Sequence, residues 1–163
     1  RMTECIILLA KTSKAAGRLS EQIRNQEWIK EYVAVVEGEV KDTTKLTHYL
    51  KHIDNTKKMM TSKVGDGQKA ELTFKTILQN NKYSVVNIKL ITGRHHQIRV
   101  QFSSFGHPLI GDLLYGNGKK HDLMLCCHKL TIKHPISNEI ITFKTLPKNK
   151  IWKKYFDVEL LNG

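Results

Sequence analysis

The stretch that most restricts the fold runs from residue 70 to 106, where "AELTFKTILQ" and "YSVVNIKLIT" alternate apolar with polar residues on either side of "NNK". Alternation at every second residue marks a strand with one covered face. The pair therefore predicts a β-hairpin with Leu72, Phe74 and Val85 or Val86 turned to a core. After Thr92 the period changes. Ile98, Phe102 and Phe105 recur at helical spacing and Gly106 supplies a stop, which predicts a helix from about Thr92 to Gly106, directly after a strand.

The remaining segments extend this pattern. "CIILLA" (5–10) is a continuous apolar run, expected to be a central strand covered on both faces. Thr12 or Ser13 can cap a helix over about 13–26, with Ala15, Ala16, Leu19 and Ile23 on its apolar side. "KEYVAVVEGEV" (30–40) reads as a strand, and the polar segment from Lys41 to Lys69 as an exposed insertion with at most a short strand or turn. "LCCHKLTIKHPISNEIITFKTLP" predicts two strands around the turn "HPISNE", and "KNKIWKKYFDVEL" a terminal helix. Hairpin-linked strands with interspersed helices and no regular βαβ alternation imply an α+β domain, a mostly antiparallel mixed sheet with flanking helices. One domain is expected over residues 1–163.

Charge narrows the partners. Twenty-seven Lys and Arg against 15 Asp and Glu leave +12, an excess that favours polyanions, with RNA or DNA first and an acidic membrane surface second. No apolar run reaches the roughly eighteen residues of a membrane span. Cys5, Cys126 and Cys127 cannot all pair, which points to a reducing, cytoplasmic setting. A monomer is the default. His95, His96, Cys126, Cys127 and His128 invite a zinc site, but adjacent pairs lack the spacing that lets two ligands converge on one ion. The pairs Lys57 with Lys58, Lys119 with Lys120 and Lys153 with Lys154 are either solvated faces or salt-sensitive contacts to a nucleic-acid backbone.

The densest chemistry lies in "ITGRHHQIRVQFSSFGHPLIGD" (91–112). Arg99 falls at the edge of the apolar stripe, with His95 one turn earlier on the same flank. Two readings stand: a solvated arginine laying its stem on apolar surface, or a sequestered cation paired with a carboxylate or phosphate. Gly93 and the helix start favour the second, through close backbone approach and a positive dipole end.

These residues amount to a resemblance. "ITGRHHQIRVQFSSFGHPLIGDLLYG" resembles the TGRxHQIR, GHP and GD..YG signature of pseudouridine synthases of the RluA/RluD type, the large-ribosomal-subunit family. "RMTECIILLAK" resembles the residues after the aspartate in that family's HRLDR.TSGLLL.AK motif, "KEYVAVVEG" its K.Y.A.V.G motif, and "CCHKLTIKHPISNEIITFKTLP" its closing strands. The similarity reaches from residue 1 to about 147.

The resemblance implies an enzyme that flips a uridine out of structured RNA, breaks its glycosidic bond and rejoins the base to ribose through carbon. It implies rRNA as the first substrate class, tRNA as the second, and no metal or organic cofactor. It places Tyr32 against the base as a proton acceptor at C5, and Arg99 beside the catalytic aspartate. Arg94, His96 and Gln97 become the RNA-binding residues, each weighed against a local packing role. The aspartate aligns immediately before Arg1, so the chain is expected to be an N-terminally shortened catalytic domain, inactive alone. Asp112 matches the GD of GD..YG, where a carboxylate bonding local backbone is expected. Glu4 and Cys5 stand where the family has Ser and Gly, and a charge at Glu4 would raise the aspartate's pKa. They support one rival, a catalytically inactive RNA-binding module with the same fold.

Overall fold

The computed structural model describes residues 3–40, 44–54, 56, 58–117 and 122–162. Within them the chain forms one mixed sheet of eight strands: β1 (Glu4–Cys5), β2 (Ile29–Glu37), β3 (Thr44–His52), β4 (Met59–Ser62), β5 (Gln68–Gln79), β6 (Tyr83–Leu90), β7 (Leu125–Lys133) and β8 (Ile140–Lys144). The order is β1-β7-β2-β6-β5-β3-β4. β8 shares the outer edge of β7 with β1. Only the β1–β7 pair is parallel, so the expected α+β class with a mostly antiparallel sheet holds.

Helix α1 spans Ser13–Arg24, with the Thr12 hydroxyl accepting from the Ala15 N–H. Its inner face is Leu19 and Gln22. Ile23, expected inside, is half exposed, because Gln22 takes the inward position and exchanges two hydrogen bonds with the Lys133 backbone. Helix α2 is shorter than the apolar spacing suggested, Gln97–Ser104. It ends in a Schellman turn. The His107 N–H reaches the Phe102 carbonyl, the Gly106 N–H reaches Ser103, and Gly106 adopts φ +89°.

Three further expectations need correction. The opening run is paired only over Glu4–Cys5 and lies at the sheet edge, with Ile7 and Leu9 exposed. Only Ile6 and Leu8 have a cover to meet, packing with Leu19, Leu130 and Ile132. The polar segment from Lys41 to Lys69 holds strands β3 and β4, because Leu46 and Leu50 point inward at period two. The C-terminal segment forms two 3-10 turns, Lys150–Lys154 and Val158–Asn162, instead of an α-helix.

The sheet separates two cores. On one face Ala34, Val36, Leu72, Phe74, Val86 and Ile88 pack against Ile98 and Phe102 of α2, with Tyr32 at the margin. On the other, Val33, Val35, Val85 and Cys126 pack under Trp152 and Phe156. The alternation of β2 thus assigns Tyr32 to the α2 face and Val33 to the C-terminal face.

Candidate active site

Arg99 lies in the second half of the first turn of α2, with its side chain 16% exposed. Its Nε donates to Asp112 Oδ2 at 2.7 Å and its Nη2 to Oδ1 at 2.6 Å, a two-pronged pair on a carboxylate that is 0% exposed. Asp112 Oδ1 also accepts from the backbone N–H groups of Leu114 and Tyr115, as expected for a carboxylate bonding local backbone. Burial alone would discourage ionisation of Asp112. The hydrogen bond and charge of Arg99, with the two backbone donors, outweigh it and hold the carboxyl below its ordinary range. Gly116 closes this turn, since a Cβ there would stand 2.6 Å from the Asp112 carbonyl oxygen.

Tyr115 links the turn to everything around it. The Arg99 guanidinium lies 5.1 Å from its ring centroid, and its carbonyl accepts from the Ser103 hydroxyl. Its hydroxyl accepts from the Met59 N–H at 2.8 Å, so its one proton is free to go to His96 Nδ1 at 2.9 Å. His96 is then the neutral tautomer with its proton on Nε2. That agrees with a pKa lowered to about 4 by burial first, then by the neighbouring charges of Arg99 and His95. His96 caps α2 from the left-handed region, φ +52°. His95 therefore lies outside the helix, in contrast to its expected place one turn before Arg99.

Residues 92–96 are held by Gln97. Its amide oxygen accepts from the Arg94 N–H and the Thr92 hydroxyl, and its nitrogen donates to the Glu71 carbonyl. The side chain is buried and committed to the loop. Arg94 is half-buried, and its Nε donates to the Lys69 carbonyl. A Cβ on Gly93 would meet nothing within 4 Å, so the chain itself does not require a glycine there.

Tyr32 sits on the face shared with α2, opposite Ile88 on one side and Cys127 on the other. Cys127 in turn pairs in register with Cys5, so one tyrosine and two thiols line up across β2, β7 and β1. Burial first, then Cys127 and Cys5, push the Tyr32 phenol well above its ordinary range. Burial likewise pushes the Cys127 thiol up to about 11. A phenol held protonated can pack against a base. To accept a proton it must pass its own to a third group in the same step.

Glu4 turns the other way. Its Oε1 accepts from Trp152 Nε1 at 3.0 Å and its Oε2 from the Lys148 N–H at 2.7 Å. Its register partner, Cys126, lies under Trp152 on the C-terminal face. The carboxylate is thus spent on the C-terminal segment, on the sheet face away from Tyr32. Lys58, Lys153 and Lys154 are exposed, whereas Arg1, Lys57, Lys119 and Lys120 lie outside the described residues. Sequence reasoning assigned no role to Tyr115, although GD..YG contains it, or to His52, which no motif marked.

The chain resembles known proteins in sequence and in fold. The family model described as RNA pseudouridylate synthase matches residues 1–104. The chain is 37% identical over 155 residues to the dual-specificity RNA pseudouridine synthase RluA of Haemophilus ducreyi, covering 89% of this chain and 69% of that protein. It is 37% identical over 123 residues to the mitochondrial tRNA pseudouridine(32) synthase of Saccharomyces cerevisiae, covering 72% of this chain and 26% of that one. The fold matches the solved human RNA pseudouridylate synthase domain containing 1 with a TM-score of 0.73 at 24% identity, over 85% of this chain and 62% of that one. The chain therefore spans about a quarter to two thirds of the length of these proteins.

Proposed function

The chain belongs to the RNA pseudouridylate synthase family, and from that premise we propose that the protein isomerises uridine to pseudouridine in structured RNA, with rRNA as the first substrate class and tRNA as the second. The observation that carries the reading is Tyr32 on the sheet face that α2 covers, the helix that presents Arg99. A +12 charge supplies the attraction to an RNA backbone.

In the proposed reaction the C1′–N1 bond of a flipped uridine breaks, the base turns, C1′ bonds to C5, and the C5 proton leaves while N1 regains one. Tyr32 packs against the base and passes the C5 proton onward. The reaction also needs a carboxylate, and Arg99 and Tyr32 cannot replace it as nucleophile or base. Arg94 and His96 border the RNA, with Arg94 contributing to phosphate binding. Gln97 acts by shaping the loop that holds them.

The test is tritium release from RNA labelled at uridine C5, using the intact protein. Release supports the reading. RNA binding without release would leave the rival, an inactive binding module, for which Cys5, in register with Tyr32 across Cys127, remains the one structural argument, Glu4 being engaged elsewhere.

A further inference from the structure

Three histidine rings stand in a column at the mouth of the Arg99 site. His96 and His95 are stacked with centroids 3.9 Å apart and planes within 23°. His95 and His52 follow at 5.8 Å and 24°. The inner end is fixed, since His96 meets the Tyr115 ring edge-on at 5.6 Å and its Nδ1 accepts a hydrogen bond from the Tyr115 hydroxyl. The other end is open. His52 and His95 are both exposed, the first at the end of β3 and the second in the loop before α2. The fold fixes this placement from both sides: His52 pairs in register with Met59, whose N–H bonds Tyr115, so one hydroxyl ties both flanks of the column.

The column has no evident work inside the chain. Its two outer rings bury little, and parallel stacked rings do not turn their nitrogens toward a common point. Among the described residues no three His, Cys, Asp or Glu side chains group as a metal site. Stacked, flat and partly apolar, with its inner ring neutral near pH 7, it offers what an unpaired nucleobase binds: a π face beside a cationic protein surface.

We propose that the His52–His95–His96 column is a stacking platform for an unpaired RNA base flanking the target uridine, and that it contributes to the choice of single-stranded loop. The proposal rests on the function proposed above. The column leads from Arg99 outward, so the base it holds is a neighbour of the target and not the target itself.

The test uses the intact protein and an RNA stem-loop carrying 2-aminopurine beside the target uridine, whose fluorescence falls when it stacks. Wild type is expected to quench it. His95→Ala and His95→Lys should lose the quench and bind about 5- to 10-fold more weakly, the lower part of the range for base–aromatic stacking. His95→Phe, which keeps a flat ring and removes the imidazole nitrogens, should retain both, and His52→Ala should behave as His95→Ala does. Full quench and affinity in His95→Lys would assign the effect to charge and overturn the proposal. So would unchanged binding in His95→Ala, or loss in His95→Phe as well. Tritium release by the wild type separates the two levels. Release with unaltered binding in the His95 variants refutes the platform alone, whereas neither binding nor release refutes the function and the platform together.

Discussion

Arg99 and Asp112 form a two-bond pair in which the cation keeps a little solvent and the anion keeps none. Removing the charge from Asp112 would strand a guanidinium with its bonding partner gone and leave the Leu114 and Tyr115 N–H groups on a poorer acceptor. Asp112→Asn is expected to cost about 3 kcal/mol, the low end for breaking a buried pair because Arg99 is partly wet. Urea unfolding at pH 7 checks it. The double variant Arg99→Met with Asp112→Asn should be more stable than Asp112→Asn alone, since it strands no charge and keeps an acceptor oxygen for the Leu114 and Tyr115 N–H groups.

Tyr115→Phe keeps the ring under Arg99 but leaves the Met59 N–H and His96 Nδ1 without the hydroxyl. A loss of about 1–3 kcal/mol is expected from the unpaired groups. It should be accompanied by faster amide exchange at Met59 than at residues in the centre of β5.

Some of this was legible in the sequence and some was not, for identifiable reasons. β5 announced itself because one face is buried and the other wetter, whereas β6 is buried on both, with Val86 in one core and Val85 in the other; Arg99 could be read as a cation in search of a carboxylate. Which carboxylate it meets could not be read, because Asp112 reaches it through a turn closed at Gly116. The early helix start failed because periodicity does not register that Gln97 spends its amide holding Thr92 and Arg94 in a loop. β3 was hidden by its own outer face, where Lys45, Thr47 and Lys51 mask the inward Leu46 and Leu50. His52 carried no motif at all, and its meeting with His95 depends on the register of a strand pair.

Tyr32→Phe keeps the ring and removes the hydroxyl. In the intact protein RNA affinity is expected to stay within about twofold, while tritium release falls by about 100-fold or more, as for loss of a proton-transferring group. Unchanged release would reduce Tyr32 to a packing residue, a role its suppressed ionisation already permits.

Folding stability should fall as the solution is acidified from about pH 6.5 toward pH 4. His96 has its folded pKa lowered to about 4, against an ordinary value of about 6.5. Between those values the unfolded chain binds a proton that the folded chain refuses, so stability is complete above the unfolded pKa and is lost as pH drops through the folded one. His48 and His128, also lowered by burial, act in the same direction. The check is the urea midpoint from pH 7.5 to 4. His96→Gln, which cannot titrate, should flatten the dependence.

Glu4 stands where the family motif has serine, and its carboxylate is bonded to Trp152 and the Lys148 backbone on the sheet face away from Tyr32. Its work is mechanical: it ties the first strand to the segment that covers Val33, Val35 and Cys126. Glu4→Ala leaves the buried Trp152 indole N–H without an acceptor, while the exposed Lys148 N–H turns to water, and about 1–3 kcal/mol of local stability should go with the indole bond. Exchange of the Trp152 indole proton, followed by NMR, should quicken accordingly, and Glu4→Gln, which retains one acceptor oxygen, should fall between. Turnover of the intact Glu4→Gln protein is expected to match wild type. A rise in its rate would mean instead that the charge of Glu4 is felt at the Tyr32 face.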